Sequence, residues 1–210
     1  MAGMDDDHDW FEAETKFHEA LYLRGTNPRQ QSGFGRDERD WERFRRPLVA
    51  AIRQSGSFLD IGCASGLLME DVARWTKTDD YTIEPYGLEI SEKLASVARQ
   101  RLPEWRDRIY VGNALYWDPP LRFDYARTEL VYVPPHRRRE YAERLLSRIV
   151  TPEGVLIVCS YGSSRPEGTR ADLLVDEMRE WGMEIAGIND VVHPDFGFVI
   201  TRVVWVRGKG

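Results

Sequence analysis

The sequence predicts an α/β fold built on a doubly wound, mostly parallel sheet of seven strands. Short apolar runs alternate with segments of helical periodicity from residue 57 onward, which is typical of strand–helix–strand units. Two final apolar runs, near residues 186–190 and 198–206, are expected to pair as an antiparallel hairpin at the sheet edge. With 210 residues, the chain is long enough to bury a core as one domain.

The first 56 residues are predicted to form a helical cap. Apolar residues recur at helical spacing between residues 10 and 21 and again between residues 41 and 52. Residues 25–40 contain three glycines and a proline without an apolar period, so we expect a long loop there. Because long loops of compact domains often cover binding sites, residues 1–56 are interpreted as a cap or lid and residues 57–210 as the core.

The core elements are predicted in alternating order. Strands are expected at residues 57–61, 86–90 and 108–112, within 123–133, and at 154–161. Helices are expected at residues 66–75, 92–102, 136–150 and 170–181. Ser91 suits a helix N-cap, and Pro134 and Pro135 fit a first helical turn. Right-handed crossovers place the ligand crevice of such a sheet at the carboxyl ends of its strands, where the strand order switches.

Small residues follow the first predicted strand and leave the backbone there nearly bare. The segment LDIGCASGLL (59–68) ends a strand in Asp60 and then turns. A tight turn that serves packing alone is one interpretation, and a dinucleotide site is another. The dinucleotide pattern Gly-x-Gly-x-x-Gly, started at Gly62, meets Ala64 and Leu67 in its second and third places, so the match is poor. A P-loop is excluded because no Gly-Lys-Ser/Thr follows.

The same segment resembles the first motif of class I S-adenosylmethionine (SAM)-dependent methyltransferases, an acid followed by three alternate glycines. Ala64 stands in the place of the middle glycine, and the resemblance extends over residues 57–206. It implies a Rossmann-like fold, SAM as cofactor and S-adenosylhomocysteine (SAH) as product. It also implies that Asp60 acts behind the methionyl amine. The loop residues implied to contact the cofactor are Gly62, Cys63, Ala64 and Gly66.

Two further strand ends match this family. Glu89 ends the second predicted strand, where the family carries an acid for the ribose hydroxyls, and a carboxylate can accept both hydrogens. A surface glutamate before the Ser91 cap is the alternative. Ile90 is expected to pack on the adenine face. Asn113 and Ala114 follow the third strand, where the family has an aspartate for the adenine amino group. Asparagine can accept the hydrogen bond from that amino group through its side-chain oxygen, or the backbone can make the contact instead.

Three polar residues after the fourth predicted strand are candidates for catalysis: Glu129, Tyr132 and His136. Methyl transfer depends mainly on alignment and exclusion of water, and it needs a general base only where the nucleophile must lose a proton. His136 has the better pKa for that role. Two alternatives remain open, since His136 after two prolines also suits a solvated helix terminus and Glu129 also suits an ion pair with an arginine.

The N-terminal loop is expected to supply a group for the cofactor's carboxylate, either Arg24 or Arg29. Phe34 and Trp41 are expected to wall the substrate pocket. The basic run at residues 137–139 is interpreted as a solvated helix face or as a contact for an acidic substrate or a nucleic-acid backbone.

Composition narrows the class of protein. The net charge of −6 makes nucleic acid an unlikely partner, and no apolar run reaches the roughly 18 residues of a membrane span. Two cysteines form neither a disulfide framework nor a metal quartet, so we expect a cytoplasmic protein without a metal. The prediction is a methyltransferase acting on an oxygen or nitrogen of a small molecule, with a homodimer left open. The alternatives are an RNA or protein methyltransferase, a nicotinamide-dependent oxidoreductase, and a non-catalytic partner subunit.

Overall fold

The sheet forms where the apolar runs of the sequence lie. The computed structural model describes residues 2–162 and 170–208. Its strands are β1 (Gly56–Ile61), β2 (Ile83–Glu89), β3 (Ile109–Val111), β4 (Phe123–Thr128), β5 (Val150–Tyr161), β6 (Ile185–Val192) and β7 (Val199–Arg207). The order across the sheet is β3-β2-β1-β4-β5-β7-β6. Only the two pairings made by β7 are antiparallel. The predicted mostly parallel, seven-stranded sheet with an antiparallel C-terminal pair is confirmed.

Six α-helices occur within the described residues. They are α1 (Ala2–Tyr22), α2 (Glu38–Arg45), α3 (Leu67–Thr76), α4 (Glu92–Arg101), α5 (Arg138–Arg144) and α6 (Leu174–Glu180). Ser91 caps α4 as predicted, because its hydroxyl oxygen accepts the Leu94 N–H at 3.2 Å. None of the helices in the described part of the chain combines the length and the apolar composition that a bilayer crossing requires.

Several element boundaries differ from the sequence prediction. The helix predicted at residues 136–150 is divided into a 3₁₀ turn, α5 and a π-helical turn, and β2 begins at Ile83 rather than at residue 86. Helix α1 begins at Ala2, well before the apolar periodicity starts. The predicted loop at residues 25–40 holds a short 3₁₀ turn, and its last residues already belong to α2. That early start has a physical cause, because the Asp37 side chain accepts the Asp40 N–H at 2.9 Å and caps the helix. Strand β5 begins at Val150 rather than after the predicted turn at residues 151–154.

Two apolar layers enclose the sheet. Phe58 packs in one cluster with Trp41, whereas its neighbour Leu59 packs in the other with Phe11 of α1. This alternation follows from the two-residue period of a strand, whose successive side chains point to opposite faces. Phe58 and Leu59 are fully buried, as expected for the central strand of a parallel sheet covered on both faces.

The strand order reverses at β1 and β4, which lie side by side in the middle of the sheet. Crossovers on either side of this point lead away from each other and leave a crevice at the carboxyl ends of the two strands. The residues that follow β1, β2, β3 and β4 therefore converge on one edge of the sheet.

Candidate active site

A cavity of about 370 Å³ lies at this edge, which is within the range of small-ligand sites. Its walls come from α1, the loop after β1, and the ends of β2, β4 and β5. Most of the residues predicted from the sequence line it: Asp60, Gly62, Cys63, Ala64, Glu89, Ile90, Asn113, Ala114, Glu129 and Tyr132.

The loop after β1 turns tightly because three of its residues have positive φ. The angle is +74° at Gly62, +47° at Ala64 and +73° at Gly66. A Cβ added to Gly62 would lie 2.7 Å from Cζ of Tyr132, and one added to Gly66 would lie 2.8 Å from Cδ1 of Leu102. Gly62 and Ala64 line the cavity, whereas Gly66 is buried and does not. The structure therefore places Gly66 in the packing of the turn against the end of α4, outside the cavity lining.

Glu89 is buried, with a relative exposure of 5%, yet it faces the cavity. Its carboxylate accepts the Ala64 N–H at 2.8 Å and the Ser91 N–H at 3.1 Å. Burial raises the pKa of Glu89, and the backbone N–H bonds act in the opposite direction. The alternative of a surface glutamate is excluded by this burial. Two amides fix the carboxylate at the cavity wall, and each oxygen retains a lone pair for a ligand hydroxyl.

Asp60 belongs to a buried charge network centred on Arg127 of β4. Nη1 of Arg127 lies 3.3 Å from Oδ1 of Asp60 and donates to the Tyr132 hydroxyl at 3.0 Å. Nη2 of Arg127 donates to Glu129, which also accepts the Tyr132 hydroxyl hydrogen at 2.8 Å. Burial raises the pKa of Asp60 to about 6, against the opposing charge of Arg127. Glu129 is thus the ion-pair partner of an arginine. Its sequence position allows this interpretation as the alternative to a catalytic role.

His136 does not line the cavity. Its side chain is 65% exposed, and Nε2 lies 3.1 Å from Oδ1 of the buried Asp7 on α1. This is the position of a solvated helix terminus rather than of a general base facing a substrate. Its neighbour Arg137 pairs with Asp7 and Glu140, so part of the basic run at residues 137–139 is also neutralised.

Arg29, the residue predicted for the cofactor's carboxylate, also lies outside the cavity lining, as does Arg24. Phe34 is buried against Trp41, and of these two only Trp41 reaches the cavity. Asn113 does line it, but its side-chain oxygen accepts the Leu115 N–H at 3.0 Å and stabilises its own turn. This bond favours the backbone over the Asn113 side chain as the contact for an adenine.

Helix α1 provides a wall that the sequence interpretation assigned only in general terms to a cap. Its cavity-lining residues recur along one face: Trp10, Phe11, Glu14, Thr15, His18 and Tyr22. The spacing of four between several of them is the sequence signal that could have identified this face. Asp7 holds one end of the helix through Arg137, and Glu19 holds the other through Ser91 and Lys93, at 2.6 Å each.

Arg45 and Tyr161 are further cavity residues that the sequence did not reveal. Cζ of Arg45 lies 3.4 Å from the centre of the Tyr161 ring, although 116 positions separate the two residues in the chain. No local pattern connects an arginine at the end of a helix with a tyrosine at the end of a distant strand. Their proximity follows from the tertiary fold.

No model of a protein family matches the sequence, and no curated protein matches it. Several solved structures share its fold. The 1,6-didemethyltoxoflavin N1-methyltransferase of Burkholderia thailandensis, solved with 1,6-didemethyltoxoflavin and SAH bound, is 16% identical, with a TM-score of 0.68 over 97% of this chain and 91% of that chain. The glycopeptide N-methyltransferase MtfA, solved with sinefungin, is 16% identical, with a TM-score of 0.61 over 79% of this chain and 85% of that chain.

A third neighbour carries a different activity in its name. The 4+2 cyclase SpnF is 19% identical, with a TM-score of 0.59 over 79% of each chain. The chain therefore has the Rossmann-like fold of class I SAM-dependent methyltransferases, as the resemblance of its motifs predicted. At such identities the comparison establishes the fold and leaves the acceptor undetermined, because one fold supports several activities.

Proposed function

We propose that this protein is a SAM-dependent methyltransferase that transfers the methyl group to an oxygen or nitrogen of a small molecule. The observation that carries the proposal is the placement of Asp60 and Glu89 in one cavity on either side of a nearly bare loop. A cofactor that bears a ribose and a sulfonium matches this arrangement, because one carboxylate suits the hydroxyls and the other favours positive charge.

The residues present fit SAM. Glu89 would hold the ribose hydroxyls, and the loop from Gly62 to Ala64 would lie along the methionyl chain, since neither position presents a large side chain. Asp60 would face the amine. Ile90 and the Asn113 backbone would border the adenine, because both line the cavity beside Glu89. SAM, when bound, supplies an activated methyl group.

The chain's own contribution to transfer would be alignment and exclusion of water. Helix α1 covers the cavity with aromatic side chains, which supports the interpretation of residues 1–56 as a cap. Correct orientation of reacting groups can contribute about 7–11 kcal/mol to a reaction of this kind. Glu129 and Tyr132 border the acceptor side and would position the acceptor, because the Arg127 network holds both in place.

The small size of the cavity and the neutralised basic run favour a small acceptor over RNA or protein. Arg137 and Arg139 both pair with acids, so they present little free positive charge to a nucleic-acid backbone. The partner-subunit alternative allows the cavity to bind SAM or no ligand, and failure to bind SAM, SAH and NAD alike would favour it.

Titration calorimetry with SAM, SAH and NAD tests the proposal. We expect SAM and SAH to bind and NAD to give no heat. Glu89→Gln should weaken SAM binding about 10- to 100-fold, because hydrogen bonds to a charged group are worth about 1.5–3 kcal/mol. Glu84→Gln is the matched control, since Glu84 lies on the same strand but is exposed and pairs with Arg108. Binding of NAD instead of SAM, or of no ligand, would refute the proposal.

A further inference from the structure

We propose that the acceptor is a small organic anion, such as a carboxylate, and that Arg45 binds its anionic group. This inference rests on the proposed function, because it assigns the part of the cavity that SAM would leave open. It names both a class of substrate and a residue that selects it.

Arg45 is a cation fixed in place by aromatic rings. Its Cζ lies 3.4 Å from the centre of the Tyr161 ring, 5.1 Å from that of Trp41 and 5.2 Å from that of Phe34. Rings that contact the face of a guanidinium leave its N–H donors, which lie in the plane at its edge, available to an acceptor. Since Arg45 also lines the cavity, a ligand there can reach those donors.

No acceptor within the described residues uses these donors. The salt bridges and side-chain hydrogen bonds found in residues 2–162 and 170–208 include none made by Arg45. The other arginine of the cavity, Arg127, differs in this respect, because its Nη1 and Nη2 donate to Asp60, Tyr132 and Glu129 and only its Nε has no partner. Arg45 is therefore the cavity arginine whose two terminal nitrogens have no protein acceptor among these residues.

The strand order places Arg45 on the acceptor side. Arg45 is held against Tyr161 at the end of β5, which β4 separates from β1. Glu89 ends β2 on the opposite side of β1, and Asn113 follows β3 beyond it. A cofactor whose ribose and adenine lie at the ends of β2 and β3 would therefore extend toward the end of β4. Arg45 would lie beyond that end of the cofactor.

The charges on this side favour an anion. Arg127 lies between the carboxylates of Asp60 and Glu129, whereas Arg45 is a second cation that has no carboxylate partner among the described residues. The sulfonium of bound SAM would add a further positive charge, and an anionic acceptor would be attracted both to it and to Arg45. A carboxylate oxygen that itself took the methyl group would carry no proton to lose, so the transfer would need no general base. This agrees with the engagement of Glu129 by Arg127 and with the position of His136 outside the cavity.

The test compares matched acids and amides on protein saturated with SAH. The probes are benzoate, 2-hydroxybenzoate and phenylacetate, each beside its neutral carboxamide, with binding measured by calorimetry. We expect at least one acid to bind about tenfold more tightly than its amide, which corresponds to about 1.4 kcal/mol. Arg45→Gln should abolish the preference, and Arg45→Lys should retain part of it. Arg46→Gln is the control, because Arg46 is the next residue but is exposed and pairs with Glu42.

The affinity for SAH, measured on the same variants, separates the possible failures. We expect Arg45→Gln to bind SAH within about threefold of the wild type, equal to about 0.65 kcal/mol. If Arg45→Gln loses SAH affinity and keeps a preference for acids, Arg45 binds the cofactor and the inference is wrong. If no acid is preferred by the wild-type protein with SAH bound, the inference is also wrong while the proposed function stands. Failure of the wild type to bind SAH would refute the proposed function itself.

Discussion

Replacement of Gly62 by alanine tests the geometry of the loop after β1. Gly62 has a φ of +74°, a conformation that costs a residue with a Cβ about 1–2 kcal/mol. The new methyl carbon would also lie 2.7 Å from Cζ and 2.8 Å from Cε2 of the Tyr132 ring, distances far inside van der Waals contact. Tyr132 would have to move, and its hydrogen bonds to Arg127 and Glu129 would be disturbed.

The two costs can be added to give an expected destabilisation. Forcing an extra methyl into a packed site typically costs about 1–3 kcal/mol. With the backbone term, the free energy of unfolding should fall by about 2–5 kcal/mol. At about 2–4 °C per kcal/mol for a domain of this size, the Tm should fall by about 4–20 °C. SAM affinity should fall as well, because the displaced Tyr132 and the new methyl both border the cavity.

Gly182→Ala provides a matched control. Gly182 has the same φ of +74°, but a Cβ there would meet no atom within 4 Å. Both variants carry the backbone cost, so urea denaturation should find Gly62→Ala less stable than Gly182→Ala by about 1–3 kcal/mol. In a Tyr132→Ala background this difference should disappear, since the clashing ring is gone. Equal unfolding free energies for the two glycine variants would show that Tyr132 does not press on the loop as described.

Four further predictions follow from the same contacts. Ala64→Gly should keep SAM affinity and leave the Tm unchanged or raise it by a few degrees, because Ala64 has a φ of +47° that glycine adopts without strain. A large loss of SAM affinity or of Tm would contradict this. The affinity for SAM should fall as the pH drops through about 6, since burial raises the pKa of Asp60 to about 6 and the protonated acid no longer attracts the cofactor's positive groups. Calorimetry from pH 5 to 8 should show this pH dependence in the wild type and not in Asp60→Asn. His136→Ala should leave the rate of methyl transfer within about twofold of wild type, because His136 is exposed outside the cavity; a loss of about 10²-fold or more would restore it as a base. Asp7→Asn should speed SAH dissociation in stopped-flow measurements, because it removes the ion pair with Arg137 that holds one end of α1 over the cavity; an unchanged rate would argue against α1 as a lid.

The sequence predicted those parts of the fold and site that depend on local pattern. The apolar run before Asp60, the acid at the end of β2 and the Ser91 cap are each readable from a few adjacent residues, and the structure has them as expected. Strand alternation and the crossover rule then sufficed to bring Asp60 and Glu89 to the same edge of the sheet.

What the sequence did not reveal depends on tertiary contacts. Arg45 reaches the cavity because it stacks on Tyr161, and Arg127 joins three predicted site residues into one network because β4 lies beside β1. Arg29 had the right chemistry and the right loop, but its side chain lies outside the cavity lining, which no local pattern in the loop indicates. His136 was predicted from its place after a strand end, and the early turn at the two prolines directs it to solvent.

A crystal structure of the protein with SAH would show most directly whether Glu89 holds the ribose of the cofactor. We expect both ribose hydroxyls to lie within hydrogen-bonding distance of the Glu89 carboxylate and the amino-acid portion to lie along the backbone from Gly62 to Ala64. SAH bound elsewhere, or bound in the cavity with its ribose away from Glu89, would contradict it.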